Sequence, residues 1–298
     1  MSNRTEISTL GEFGLIRHLT DRIEIKNNST IKGVGDDAAI LSYEDRQVLV
    51  TTDLLLEGIH FDLTYVPLKH LGYKSAVVNF SDIYAMNGQP KQITVSLGIS
   101  KRFSVEDVED FYAGLKLACD VYGVDIVGGD TSASLTGLCI SITCIGEGER
   151  DKVVLRSGAQ ETDLICVSGD LGAAYMGLQL LEREKRIFKG EKDFTPDFTG
   201  KEYLLERQLK PEARKDIIEM LRRAGIIPTA MMDISDGLSS ELLHISKESN
   251  VGCRVYEDRI PIDYQTAAMA EQFNMNLVTA ALNGGEDYEL LFTVPIAD

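Results

Sequence analysis

An α/β (α+β) fold in two domains is what this sequence predicts, on three observations. Helix-period and strand-like stretches alternate along the chain, the pattern of layered α/β proteins. A length of 298 residues, 44% of them hydrophobic, is enough to build two cores. The stretch Gly146–Asp151, rich in glycine and charge, interrupts the alternation near its middle, where exposed charges suit a connection better than a core. The division is therefore placed at 150, giving domains 1–150 and 151–298.

The elements follow in order. A helix is expected over Glu6–Leu19, then strands at Ala38–Leu41 and Gln47–Thr52. Pro67 opens a long helix to about Asn87, with Val77, Val78, Ile83 and Met86 on its apolar side. Gln92–Leu97 reads as a strand, and Ser104 with Asp107 three residues on caps a helix to about Tyr122. Val124–Val127 reads as a buried strand ending in Gly128-Gly129-Asp130, and Gly137–Ile145 completes the first sheet. Beyond 150 come a strand at Asp163–Ser168, a helix from about Asp170, a charged loop around Glu182–Thr199 and a helix from Pro211. A short strand Met231–Ile234, a helix from Asp236 and a strand Glu289–Val294 close the series. The sequence stops just after Pro295, where a domain is expected to continue, and so reads as truncated there.

Composition excludes several classes. A net charge of −17 lacks the Lys/Arg patches that hold phosphate backbones, so no nucleic acid is expected. No run approaches the roughly 20 apolar residues of a membrane span, and the opening MSNRTEIS has neither a signal core nor a transit pattern. Five cysteines, mostly within apolar stretches and without a C-x-x-C pair, read as buried thiols in a reducing cytosol, so a cytoplasmic location is expected.

Five segments share one design: Gly35-Asp36-Asp37-Ala38, Thr51-Thr52-Asp53, Asn79-Phe80-Ser81-Asp82, Gly128-Gly129-Asp130-Thr131 and Asp233-Ile234-Ser235-Asp236-Gly237. Any one of these aspartates can simply cap a helix or close a turn. Five unpaired acidic loops that met would instead repel one another unless divalent cations compensated the charge. Magnesium suits hard carboxylate and hydroxyl oxygens and is commonly shared with substrate phosphates. Four histidines without zinc-ligand spacing make zinc a poor fit. The P-loop and the protein-kinase motifs are missing, and Gly33-Val-Gly35-Asp-Asp-Ala38 would turn two carboxylates toward a pyrophosphate. Arg156, beside Ser157 and Gly158, is either a surface residue or a phosphate ligand. Gly284-Gly285-Glu286-Asp287 is either a turn or a reach toward the acidic loops.

Read in order, these segments with Gly58-Ile-His60-Phe61 and Arg156-Ser-Gly resemble the thiamine-monophosphate kinase family over about residues 11–292. The two-Asp pattern by itself is shared with the wider superfamily of aminoimidazole ribonucleotide synthetase and selenophosphate synthetase. The resemblance implies a PurM-like fold, with an N-terminal domain that binds ATP and magnesium and pairs with a second subunit in an intersubunit barrel. An α/β domain follows. It also implies transfer of phosphate from ATP to thiamine monophosphate, giving thiamine diphosphate. By position it places several magnesium ions at Asp37, Thr51, Thr52, Asp53, Asp82, Asp130, Asp233 and Asp236, with Asp53, Asp82 and Asp130 carrying catalysis. ATP falls to Gly129, Arg156, Ser235 and Tyr112, and the substrate to His60 and Glu286. An aromatic residue that the family carries near its C-terminus lies beyond this sequence.

The residues support that chemistry on their own terms. A phosphate acceptor is already an oxyanion near neutral pH, so no general base is needed, and none of the familiar catalytic triads is found. Two rival readings stay open at this point, another ATP-dependent synthetase of the superfamily and a nucleotide-binding regulatory module without turnover. A selenophosphate synthetase fits poorly, because no Cys precedes Cys119.

Overall fold

The computed structural model describes residues 30–32, 36–43, 46–187 and 198–296; the helix expected over Glu6–Leu19 lies outside them. The first half forms one mixed sheet. Its strands are β1 (Thr30–Lys32), β2 (Ala39–Tyr43), β3 (Arg46–Leu56), β4 (Gln89–Ile99), β5 (Asp125–Ala133) and β6 (Cys139–Glu149), in the order β1-β2-β3-β6-β4-β5. All neighbours are antiparallel except β4 and β5, which run parallel and are joined through a helix as a parallel pair requires.

Two helices, α1 (Leu68–Ala85) and α2 (Val105–Tyr122), are packed against each other and back one face of this sheet. Along β3 the burial alternates strand-fashion, with Leu49, Thr51 and Leu55 inward and Thr52, Leu54 and Leu56 on the open face. Most of α1 is enclosed, including Phe80 and Ile83, which meet Ile93 and Ile142 of the sheet in one core. Each such side chain contributes about 1.5–3 kcal/mol by leaving water. At the start of α2 the Ser104 hydroxyl accepts from the Asp107 N–H at 3.3 Å, and Asp107 accepts from the Ser104 N–H at 2.8 Å, so the predicted cap is built in both directions.

The second half carries a smaller antiparallel sheet, β7 (Leu164–Val167), β8 (Ala230–Asp233) and β9 (Leu290–Val294), in the order β7-β9-β8. Around it lie α3 (Ala173–Ile187), α4 (Glu202–Leu209), α5 (Lys215–Ala224), α6 (Leu238–Ser249), α7 (Tyr264–Gln272) and α8 (Leu277–Asn283). The main core crosses between the halves, since Ile218, Leu221, Met231 and Leu290 belong to the same cluster as Phe80 and Ile142. Among the described residues no helix is long and apolar enough to cross a membrane.

Four expectations need correction. Gly146–Glu149, read as the start of a connection, are the end of β6 and pair with β3, their glycines and charges notwithstanding. The strand expected to stop at Val127 continues to Ala133, so Gly128-Gly129-Asp130 lies within it; as the sheet edge it is exposed throughout most of its length, not buried. Glu182–Ile187, expected as the start of a charged loop, form the last turns of α3, and residues 188–197 of that expected loop lie outside the described residues. The helix placed at Pro211 starts at Lys215, and α4, with no side-chain cap to announce it, precedes that proline.

Candidate active site

Three elements deliver one carboxylate each to a common point. Asp37 precedes β2, Asp82 lies in the last part of α1, and Asp233 ends β8; one oxygen of each falls within 4.8 Å of the others. Hydroxyls from neighbouring elements orient them. Thr51 on β3 donates to Asp82 Oδ2 at 2.5 Å, and Ser81 on α1 donates to Asp233 Oδ2 at 2.6 Å. Arg156 donates from Nε and Nη2 to the two oxygens of Asp37, at 2.9 and 2.8 Å. Its backbone N–H turns to Asp36, whose buried carboxylate also pairs with Lys32.

The electrostatics show how crowded this point is. Burial, with no comparable compensation, raises Asp53 to about 6. Burial first, then the charge of Asp37, raises Asp233 to about 7. Asp82 is pushed well above the usual carboxylate range by burial and then by Asp53, Asp233 and Asp37. Asp37 is raised by burial even against the guanidinium beside it. Protons or cations must balance such a group, and one arginine does not suffice.

The loop after Asp233 and the segment Gly284–Glu289 lie side by side. The Glu286 N–H donates to the Ser235 carbonyl at 2.7 Å, and the Tyr288 N–H to that of Ile234 at 2.9 Å. Gly285 has φ of 69°, and a Cβ there would sit 2.6 Å from the Ser235 oxygen, so glycine is required. Glu286 and Tyr288 are themselves held at φ of 59° and 52°. Glu286 accepts from Lys74 and Gln208, while Asp287 accepts the N–H groups of Gly172 and Ala174 and so caps α3 instead of joining the carboxylates.

The structure thus gathers Asp37, Thr51, Asp53, Asp82, Asp233 and Arg156, with Ser235 and Glu286 alongside. Others stand apart. Thr52 faces away from Thr51, as successive strand residues must, and donates to the Ile142 carbonyl at 3.0 Å. Asp130 is on the edge strand in register with Ser96, Ser141 and Leu54, roughly 14 Å from β3 across three strand spacings, and its row points to the open face. Gly129 lies in the Asp53–Ile142–Val95 row, so close to β4 that a Cβ would meet the Val95 oxygen at 2.0 Å. Asp236 is exposed, and its N–H donates to Glu241 at 2.9 Å. His60 is exposed in the turn after β3; its Nδ1 accepts from the Leu56 N–H at 3.0 Å, which leaves the proton of the neutral ring on Nε2. Tyr112 lines a separate cavity of about 790 Å³ with Phe103, Val108 and Lys116.

Lys74 and Ser81, whose side chains hold Glu286 and Asp233, have no role in the sequence reading. Ser81 adjoins a residue already chosen, and a hydroxyl beside an aspartate is signal enough. Lys74, in an apolar helical run, gave none.

A mixed sheet backed by two helices, with carboxylates converging on its helix side, defines the class. The family model described as AIR synthase related protein, N-terminal domain, matches residues 35–147. Within that class the chain belongs to the thiamine-monophosphate kinase family. It is 37% identical to the thiamine-monophosphate kinase of Aquifex aeolicus over 289 residues, covering 97% of this chain and 87% of that protein. To the thiamine-monophosphate kinase of Bacillus subtilis it is 34% identical, covering 96% and 84%. The solved structure "AaThiL complexed with AMPPCP and TMP" superposes with a TM-score of 0.86 at 37% identity, covering 99% of this chain and 88% of that one.

Proposed function

We infer that this chain transfers the γ-phosphate of ATP to thiamine monophosphate, giving thiamine diphosphate and ADP. The observation that carries the reading is the convergence of Asp37, Asp82 and Asp233 within 4.8 Å, in a chain whose full-length relatives are thiamine-monophosphate kinases.

The donor set fits magnesium: hard oxygens only, more negative charge than the local arginine balances, and two hydroxyls that fix carboxylate orientation. Asp37, Asp82 and Asp233 would hold it, with Asp53 and Thr51 beside them. Bound there, the metal supplies charge neutralisation between two phosphates that otherwise repel. The chain's own groups do the rest. Arg156 binds nucleotide phosphates, with Gly129 and Ser235 along the nucleotide, and Tyr112 offers its ring to the base. His60 donates from Nε2 to the acceptor, and Glu286 faces its cationic heterocycle. Transfer is direct, with no phosphoenzyme, because the acceptor phosphate already carries the attacking oxyanion.

The chain works as a homodimer in this reading. The open sheet face exposes Leu54, Leu56 and Val127, apolar side chains suited to a partner sheet. Thr52 and Asp130 lie on that face, so their part in holding further ions belongs to the assembled intersubunit barrel; Asp236 serves the outer edge of the metal group. Residues 1–150 then form the ATP, magnesium and dimerisation domain, residues 151–298 the C-terminal α/β domain, and the enzyme acts in the cytoplasm.

The test is product separation after incubation with ATP, magnesium and thiamine monophosphate. Thiamine diphosphate is expected from the monophosphate and not from thiamine itself. ATP binding without product, or phosphorylation of thiamine as readily as of its monophosphate, overturns the reading.

A further inference from the structure

We propose that Lys74 is a positioning residue for the acceptor end of the site and acts through Glu286; this rests on the assignment of Glu286 to the substrate. Lys74 sits in α1 with only 7% of its side chain exposed. An ammonium taken from water costs several kcal/mol unless its partners are well placed, so those partners are informative. Its Nζ donates to Glu286 Oε2 at 3.0 Å and to the Gln208 carbonyl at 3.0 Å. Gln208 Nε2 donates to the same Oε2 at 2.9 Å.

One oxygen of Glu286 thus receives two donors. The other, Oε1, receives none among the described residues, and the carboxylate is 30% exposed. The backbone fixes the opposite end, since Glu286 is held left-handed between Gly285 and Tyr288 and tied to the Ser235 carbonyl. Left-handed conformations of non-glycine residues persist only where the surroundings enforce them. The result is a carboxylate immobilised at both ends with one oxygen presented outward.

Helix α1 also sets where that oxygen lies. Lys74 and Ser81 are seven residues apart, hence on one stripe of the helix and about 10 Å apart along its axis. Lys74 anchors Glu286, and Ser81 anchors Asp233 of the metal group. One rigid element therefore spaces the carboxylate cluster from the outward oxygen. That separation suits a ligand with a phosphate at one end and a cationic, amino-bearing heterocycle at the other.

The test is a double-mutant cycle of Lys74→Met and Glu286→Gln, with KM measured for both substrates and folding checked by thermal melts. Each single change is expected to raise KM for thiamine monophosphate about tenfold, equivalent to about 1.4 kcal/mol. KM for ATP should stay within about twofold, and the double variant should match Glu286→Gln. A Lys74 role in stability alone would leave KM unmoved. If Lys74→Met fails to fold, Glu286→Gln is compared with the double variant, in which no unpaired carboxylate remains, and equal KM supports the proposal. Unchanged KM for thiamine monophosphate in Lys74→Met, an equal rise for ATP, or multiplied effects in the double variant overturns it. Absence of thiamine diphosphate from the unaltered protein instead removes the functional reading itself.

Discussion

Arg156 grips Asp37 with two parallel hydrogen bonds, at 2.9 and 2.8 Å, so the guanidinium assigned to nucleotide phosphates is paired with a residue assigned to metal. The Asp37 side chain is 2% exposed and that of Arg156 18%. The pair therefore supplies a local cation that offsets part of the cost of burying this carboxylate, whose proton affinity is raised by burial all the same.

Arg156→Met leaves Asp37 buried and unpaired, and breaking such a pair from one side costs roughly 3 kcal/mol. Urea unfolding without metal should show that loss, and saturating magnesium should recover part of it by taking over the charge. Unchanged stability in both conditions would mean that the pair carries no load.

The acidic cluster predicts an opposite pH response from that of an ordinary salt-bridged carboxylate. Asp53 is raised to about 6 and Asp233 to about 7 from an ordinary value of 3.8. Groups raised on folding bind more protons in the folded chain, so metal-free stability falls as pH climbs through that window and stays low above it. Thermal melts should accordingly show a metal-free protein less stable at pH 8 than at pH 5.5. Magnesium should raise the melting temperature strongly at pH 8 and weakly at pH 5.5, where protons compete for the same oxygens. Equal magnesium shifts at both pH values would argue against binding at these carboxylates.

Two adjacent glycines should respond differently to the same change. A Cβ at Gly129 would lie 2.0 Å from the Val95 oxygen, whereas one at Gly128 has only the Thr94 methyl, at 3.9 Å. Gly129→Ala must push β5 away from β4 and should cost about 2 kcal/mol or more, with Gly128→Ala nearly neutral by comparison. Chemical denaturation of the two variants checks this, and equal losses would refute the tight strand approach.

Much of this was legible in the sequence because local chemistry and fold agree there. Ser104 and Asp107 wrote the start of α2, and the apolar runs of β3 and β4 wrote the first sheet. Asp37, Asp82 and Asp233 stood out because their neighbours are small or hydroxylic. What escaped depends on tertiary placement. Thr51 and Thr52 look alike in sequence, yet a period of two sends them to opposite faces, and only Thr51 reaches Asp82. Asp130 shares the Gly-Asp pattern but lies on an edge strand, which no local signal reveals. Lys74 carries no signal in the sequence, and its burial follows only from the enclosure of α1. Helix α4 was lost because Lys201 makes no cap and the preceding stretch is charged.

The central claim is that the carboxylates around Asp82 hold the magnesium that lets phosphate pass from ATP to thiamine monophosphate. The direct measurement is the rate of thiamine diphosphate formation across magnesium concentration, for the unaltered protein and for Asp82→Asn. The account predicts strict magnesium dependence and a fall in turnover on the order of a thousandfold in the variant. The melting temperature of metal-free Asp82→Asn should be unchanged or higher, since one member of a repelling group is gone. A variant that folds normally and turns over near the original rate would contradict it.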